Sequence, residues 1–316
     1  MKHEQQHQHK QHNHAHAHNH GGDDFDWAAM ADLLELEGEV HGQYVQQAIA
    51  ELQRLTAPGD GDGDSDGGGG DRTPRRILDI GSGPGVAACR LAQAFPAAEV
   101  TAVDGTAQLL ARAEQRAARL GVRVRTRQAE FPAGLAELAA PGTADLIWSG
   151  QVVHHVGDQQ GVLDALAELL APGGLLAIVE GGLPTRCLPR DLGFGRPDLF
   201  ARLDVAMAGR FARMRAELPG SVAVVEDWPA LLRGAGLTEV HSRTFLVEHP
   251  APLGDEPRRF VRANLERARQ TLGELLDAED LATLDRLLDP ADPACVDRRA
   301  DLFLLLAKTV HFGRRP

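Results

Sequence analysis

Gly81, Gly83 and Gly85 occupy every second position of ILDIGSGPG, directly after a short apolar run, with Asp79 just ahead of them. A strand that ends in such a loop and opens a helix presents free backbone N–H groups at the helix N-terminus. Glycine there lets a ligand approach the backbone with no Cβ in the way. Pro84 and Gly85 suit the turn into the helix, where an N–H is orphaned in any case. Asp79 is placed to meet a cationic group of the ligand, and Ser82 lies within the same loop. Asp104 ends the next apolar run, EVTAVD, at the distance where an acid accepts from ribose hydroxyls. Glycine loop and acid together point to a ligand containing a nucleoside. The dinucleotide fingerprint GxGxxG is not met, because Val86 stands at its sixth position.

These residues need a scaffold, and the chain supplies alternating strands and helices. Strand 75–80 leads to helix 85–95, strand 99–104 to helix 106–120, and strand 122–127 follows. Strand 144–149 leads to helix 159–170 and strand 174–180. This rhythm implies βαβ units and a parallel sheet. Continuous apolar runs such as LLAIV fit strands buried on both faces. Past residue 181 the pattern predicts helices at 198–218, 228–235, 256–272 and 278–288, with strands at 238–248 and 302–311. On the first of these helices Leu199, Leu203, Met207, Phe211, Met214 and Leu218 share one side.

Ahead of the first strand, apolar residues at helical spacing run from Asp26 to Leu55, with Gly38 and Gly42 as breakers. Residues 1–24 form a histidine-rich tail of low complexity, expected to be disordered, whose imidazoles would bind transition metals weakly. A solvated tail or an expression tag explains it as well. Residues 58–74 read as a flexible acidic Gly/Asp linker. Their DxDxDG run, from Asp62 to Gly67, lacks the acid a calcium loop needs, since Thr73 fills that place. The domain plan is therefore tail 1–24, helical cap 25–57, linker 58–74, ligand-binding core 75–180, and the rest of the sheet with helical insertions from 181 to 316.

A net charge of −12 removes any general electrostatic case for nucleic acid or anionic membrane. Cys89, Cys187 and Cys295 are scattered and form no CxxC, which fits a reducing, cytoplasmic setting. No apolar run approaches membrane-spanning length.

From about Arg75 to Ser242 the chain resembles class I S-adenosylmethionine-dependent methyltransferases. ILDIGSGPG is similar to that family's first motif, and VTAVD to its second. RQAEFPAGL is similar to the segment that meets the adenine, DLIWSGQVVHHVGD to the strand-four motif and LLAPGGLLAIVE to the strand-five motif. The resemblance implies an α/β fold: a Rossmann-like, doubly wound, seven-stranded sheet with an antiparallel last strand and an added helical cap. It implies S-adenosylmethionine as cofactor, held by Asp79, Gly81, Ser82, Gly83, Gly85 and Asp104. Glu130 and Phe131 would serve the base and Ser149 the methionine part. Many relatives carry Asp where Gln128 stands here, and Gln128 can accept the adenine amine through its carbonyl. Either Gln128 or Glu130 faces the base.

The reaction implied is methyl transfer to oxygen or nitrogen of a small molecule, in the style of secondary metabolism. His154 and His155, just past strand four, are the candidates for a base. Glu37, His41 and Tyr44 on the cap are further polar candidates. The loop GLPTRCLPRDLGFGRPD reads as a lid whose Arg186, Arg190 and Arg196 would bind an acidic substrate group. Two other classes stay open: a non-catalytic cofactor- or metal-binding protein built on the histidine tail, and a nicotinamide oxidoreductase, which Val86 disfavours.

Overall fold

The computed structural model describes residues 27–57 and 73–316. The histidine tail and the acidic run of the linker lie outside the described residues.

Seven strands form one sheet: β1 (Arg76–Ile80), β2 (Glu99–Asp104), β3 (Val124–Gln128), β4 (Ala144–Gly150), β5 (Leu170–Arg186), β6 (Thr238–His249) and β7 (Leu304–Arg314). Their spatial order is β3-β2-β1-β4-β5-β7-β6. Pairing is parallel from β3 through β5, and β7 runs antiparallel to both β5 and β6. This is the doubly wound sheet with an antiparallel last strand that the resemblance implied. The order reverses beside β1, so a crevice opens between the ends of β1 and β4, where ligands sit in such folds.

Helices cover both faces. On one side lie α1 (Ala31–Val40), α2 (Gly42–Thr56), α3 (Val86–Ala94), α9 (Asp255–Leu272) and α10 (Ala278–Leu288), sharing a core with Ile77, Trp148 and Val310. On the other lie α5 (Leu135–Leu138), α6 (Gln159–Leu169) and α8 (Trp228–Gly234), packed on Leu78, Ile147 and Ile178. Successive strand residues point to opposite faces, so Ile77 and Leu78 enter different cores. Among the described residues, no helix is long and apolar enough to cross a membrane. All three cysteines are buried and free.

The cap is two helices broken at His41 rather than at a glycine. Gly38 instead allows close packing: a Cβ there would stand 2.6 Å from Val86 Cγ2, at the start of α3. Charge also holds α1. Its Asp32, Glu35 and Glu39 face Arg112, Arg116 and Arg119 of α4 (Ala107–Leu120) and Arg90 of α3.

Two expectations need correction. The boundary drawn at 180 falls inside β5, which continues to Arg186 by pairing with β7. α7 (Leu199–Glu217) buries Leu199 and Leu203 and leaves Met207 45% exposed. The lid arginines are engaged by carboxylates of the chain itself. Arg186 pairs with Asp204, Arg190 with Asp198, and Arg196 with Asp277 and the buried Asp280. That network pins the loop to α7 and α10 instead of offering charge to a substrate.

Candidate cofactor and acceptor site

A cleft of about 900 Å³ opens at the β1/β4 edge beneath the cap. The glycine loop forms its floor, and the three glycines serve different ends. Gly81, Gly83 and Gly85 all have positive φ, at +68°, +53° and +76°, where an L side chain is strained. At Gly81 a Cβ would stand 2.3 Å from Val152 Cγ2, and at Gly85 it would stand 2.5 Å from Ala113 Cβ. At Gly83 nothing lies within 4 Å, so this is the stretch of bare backbone that faces open space. Gly85 does not line the cleft. It is the left-handed residue that lets α3 pack on α4.

Asp104 ties the two halves of the site together. One carboxylate oxygen accepts the Gly83 N–H at 2.9 Å and the other accepts the Thr106 N–H at 2.9 Å. Each oxygen keeps lone-pair capacity toward the cleft. Burial raises its pKa, opposed by these backbone bonds. Asp79 is 1% exposed, and its Oδ2 has no partner. Burial pushes its carboxyl up to about 7, the Ala88 N–H lowers it, and Asp104 raises it further. An unpartnered buried oxygen on a cleft wall is costly unless a ligand donates to it. Ser82 Oγ is likewise buried and unpartnered on the same wall.

Beyond β3 the cleft is walled by Gln128, Glu130 and Phe131. Gln128 Nε2 donates to Gly105 O at 2.8 Å, which leaves its carbonyl free to accept. Glu130 lies against Gly105, where an added Cβ would stand 3.0 Å from Oε2. Both residues therefore stay available to an adenine-like group.

At the β4 end, alternation sends Trp148 and Gly150 to the cleft, while Ser149 turns toward the α6 core. Ser149 is fully buried, and its neighbour Gly150 lines the cleft. The paired histidines divide in the same way. His155 lines the cleft, with its ring edge-on to Trp27. Desolvation, then His154, Arg267 and Arg215, holds its pKa below the ordinary imidazole range. His154 stands behind it, off the cleft wall, with ring centroids 4.1 Å apart. Its Nδ1 lies 2.7 Å from Glu180 Oε2. Glu180 is 3% exposed and also accepts the Val153 N–H at 2.9 Å.

Sequence reading gave Glu180 no role, because its partners come from a turn 26 residues away. It also missed Gly105, Thr106 and Val152, which carry no motif of their own. From the cap, Glu37, His41 and Tyr44 reach the cleft as expected. His41 is buried with its Nε2 unpartnered, and burial lowers its pKa to about 3. Among the described residues, no cluster of His, Cys, Asp or Glu could hold a metal ion.

A family described as a methyltransferase domain matches residues 78–176. The chain is 35% identical over 144 residues to trans-aconitate 2-methyltransferase of Methylobacterium radiotolerans, covering 45% of this chain and 52% of that protein. It is 36% identical over 183 residues to release factor glutamine methyltransferase of Bordetella pertussis, covering 56% of this chain and 58% of that protein. It thus spans about half the length of these relatives. Among solved structures it is similar to Haemonchus contortus phosphoethanolamine N-methyltransferase 2, at 16% identity and TM-score 0.45, over 92% of this chain and 60% of the other. The methyltransferase domain matched over residues 78–176 contains the glycine loop, the strand-end acid and the β3-side wall that gather at one sheet edge.

Proposed function

We propose that the protein transfers a methyl group from S-adenosylmethionine to oxygen or nitrogen of a small molecule, a reaction suited to secondary metabolism. The observation that carries this is the shared wall formed by Gly83, Asp79 and Asp104, with the unpartnered Asp79 oxygen in its floor. The residues fit the cofactor. Asp104 would take the ribose hydroxyls and Glu130 or Gln128 the adenine amine, with Phe131 against the ring. The Gly81–Gly83 backbone and Asp79 would receive the amino-acid end.

When bound, the cofactor supplies an electrophilic methyl on a sulfonium. The chain's own contribution is orientation of the acceptor in line with that methyl. The cap favours a small acceptor, because α1 and α2 add Leu34, Glu37, His41 and Tyr44 to the wall of the cleft.

His155 takes the acceptor's proton where there is one. Held neutral, its imidazole has a free lone pair at neutral pH. His154 positions it by ring contact, and Glu180 fixes His154 in turn.

The test uses S-adenosylmethionine labelled in its methyl group, with panels of small carboxylic acids, phenols and amines. Label in a small product supports the reading. Label transferred only to protein, or none transferred, contradicts it.

A further inference from the structure

The acids of α1 fall on two sides of the helix. Asp32, Glu35 and Glu39 recur at three- and four-residue spacing on one side, where Arg112, Arg116, Arg119 and Arg90 meet them. Glu37 falls on the other side with Leu34 and His41, and these three line the cleft. Among the described residues no lysine or arginine forms an ion pair with Glu37. Its ionisable neighbour is His41, whose Nδ1 stands 3.5 Å from Glu37 Oε1. Burial keeps that imidazole uncharged at neutral pH, so it does not compensate the carboxylate. His41 is 4% exposed, and its Nε2 has no partner. With Nδ1 beside a carboxylate, the ring proton belongs on Nδ1, and Nε2 is left as an acceptor.

The rest of the cleft wall carries the same sign. Its other acids are Asp79, Asp104 and Glu130, and among the described residues no lysine or arginine lines it. The cofactor takes Asp79 at its amino-acid end, Asp104 at the ribose and Glu130 at the base side, all from the sheet edge. Glu37 stands apart from these, on the cap. The apolar wall near it is Leu34 and Trp27, and Trp27 meets His155 edge-on. A carboxylate or phosphate entering here would meet acids with no cation to receive it. A hydroxyl would leave the Glu37 charge unanswered. An ammonium answers that charge and brings three N–H donors to a place whose unpartnered atoms are acceptors.

We propose that the methyl acceptor is a small molecule carrying a protonated amine, and that Glu37 receives its ammonium beneath the cap, with the apolar body against Leu34 and Trp27. The word acceptor rests on the methyltransferase reading above, whereas the cation site does not.

The test compares three ligands of similar shape: 2-phenylethylamine, 2-phenylethanol and 3-phenylpropanoate. Each is titrated by calorimetry into full-length protein at neutral pH and constant ionic strength, with and without S-adenosylhomocysteine. The expected result is saturable binding of the amine, about tenfold or more tighter than that of the alcohol or the carboxylate. Glu37→Gln should weaken the amine by about tenfold or more, Glu37→Asp by less, and both should leave S-adenosylhomocysteine affinity unchanged. No saturable binding of the amine, equal binding of the carboxylate, or amine affinity unchanged in Glu37→Gln would overturn the proposal. An equal loss of S-adenosylhomocysteine affinity in Glu37→Gln would also overturn it, since the acid would then belong to the cofactor. Failure of S-adenosylhomocysteine to bind the unsubstituted protein would remove the methyltransferase reading, while the amine titration without it still decides the cation site.

Discussion

Asp104 accepts the backbone N–H of Gly83 at 2.9 Å, so the strand-two acid and the bare glycine loop are one unit. The acid shapes the loop before any ligand arrives, and the same carboxylate is the one proposed to take the ribose hydroxyls. Loop and acid should therefore fail together.

The contrast between two glycines tests this. Gly85→Ala puts a methyl group 2.9 Å from the Ala113 Cα, in a left-handed conformation. Overpacking and strain together should cost about 2–4 kcal/mol of stability, read by denaturant unfolding. Gly83→Ala meets no neighbour. It should cost about 1 kcal/mol and yet weaken S-adenosylhomocysteine binding at least tenfold, because its methyl group enters the ligand's space.

Asp79 predicts a proton linkage. Its carboxyl sits at about 7 in the folded chain against an ordinary 3.8. The folded chain therefore holds this proton more tightly than the unfolded one. The group favours folding most at low pH, and that advantage fades as pH rises from 3.8 to about 7. A cationic amino group docking on Asp79 would favour its ionised form. At about pH 6, cofactor binding should release up to about one proton, measured by calorimetry in buffers of different ionisation enthalpy. Asp79→Asn should abolish the release.

Much of this was legible in the sequence. The α10 span matches its expected bounds, and the α9 and β6 starts and ends fall within a residue of theirs. Apolar periodicity carries that information locally. Gly81, Gly83, Asp79 and Asp104 were readable because a strand-loop-helix unit brings them together over a short stretch of chain. Glu180 was not, since it acquires its meaning from a distant element. The turn after β4 gives Glu180 its partners. Arg196 misled for the same reason, because its carboxylate partners lie 81 and 84 residues further on.

Glu180 should prove structural as well as positional. Glu180→Ala leaves the Val153 N–H and His154 Nδ1 without their acceptor in a buried place. A loss of about 2–3 kcal/mol is expected, with faster amide exchange confined first to residues 151–157.

The charge clasp on the cap predicts a salt response. Arg116 is 4% exposed and bonds both Glu35 and Glu39. Arg116→Ala should loosen α1 more than Arg112→Ala, whose pair with Asp32 is exposed. Hydrogen exchange of residues 31–40 reads this directly, and raising the salt concentration should weaken protection mainly through the exposed pairs.

The central claim is that this cleft holds S-adenosylmethionine. Calorimetric titration of the purified full-length protein with S-adenosylmethionine and S-adenosylhomocysteine, with NAD as control, tests it most directly. Micromolar binding of the first two, none of NAD, and a large loss of affinity in Asp104→Ala are expected. A folded sample that binds neither, or binds both unchanged in Asp104→Ala, would contradict it.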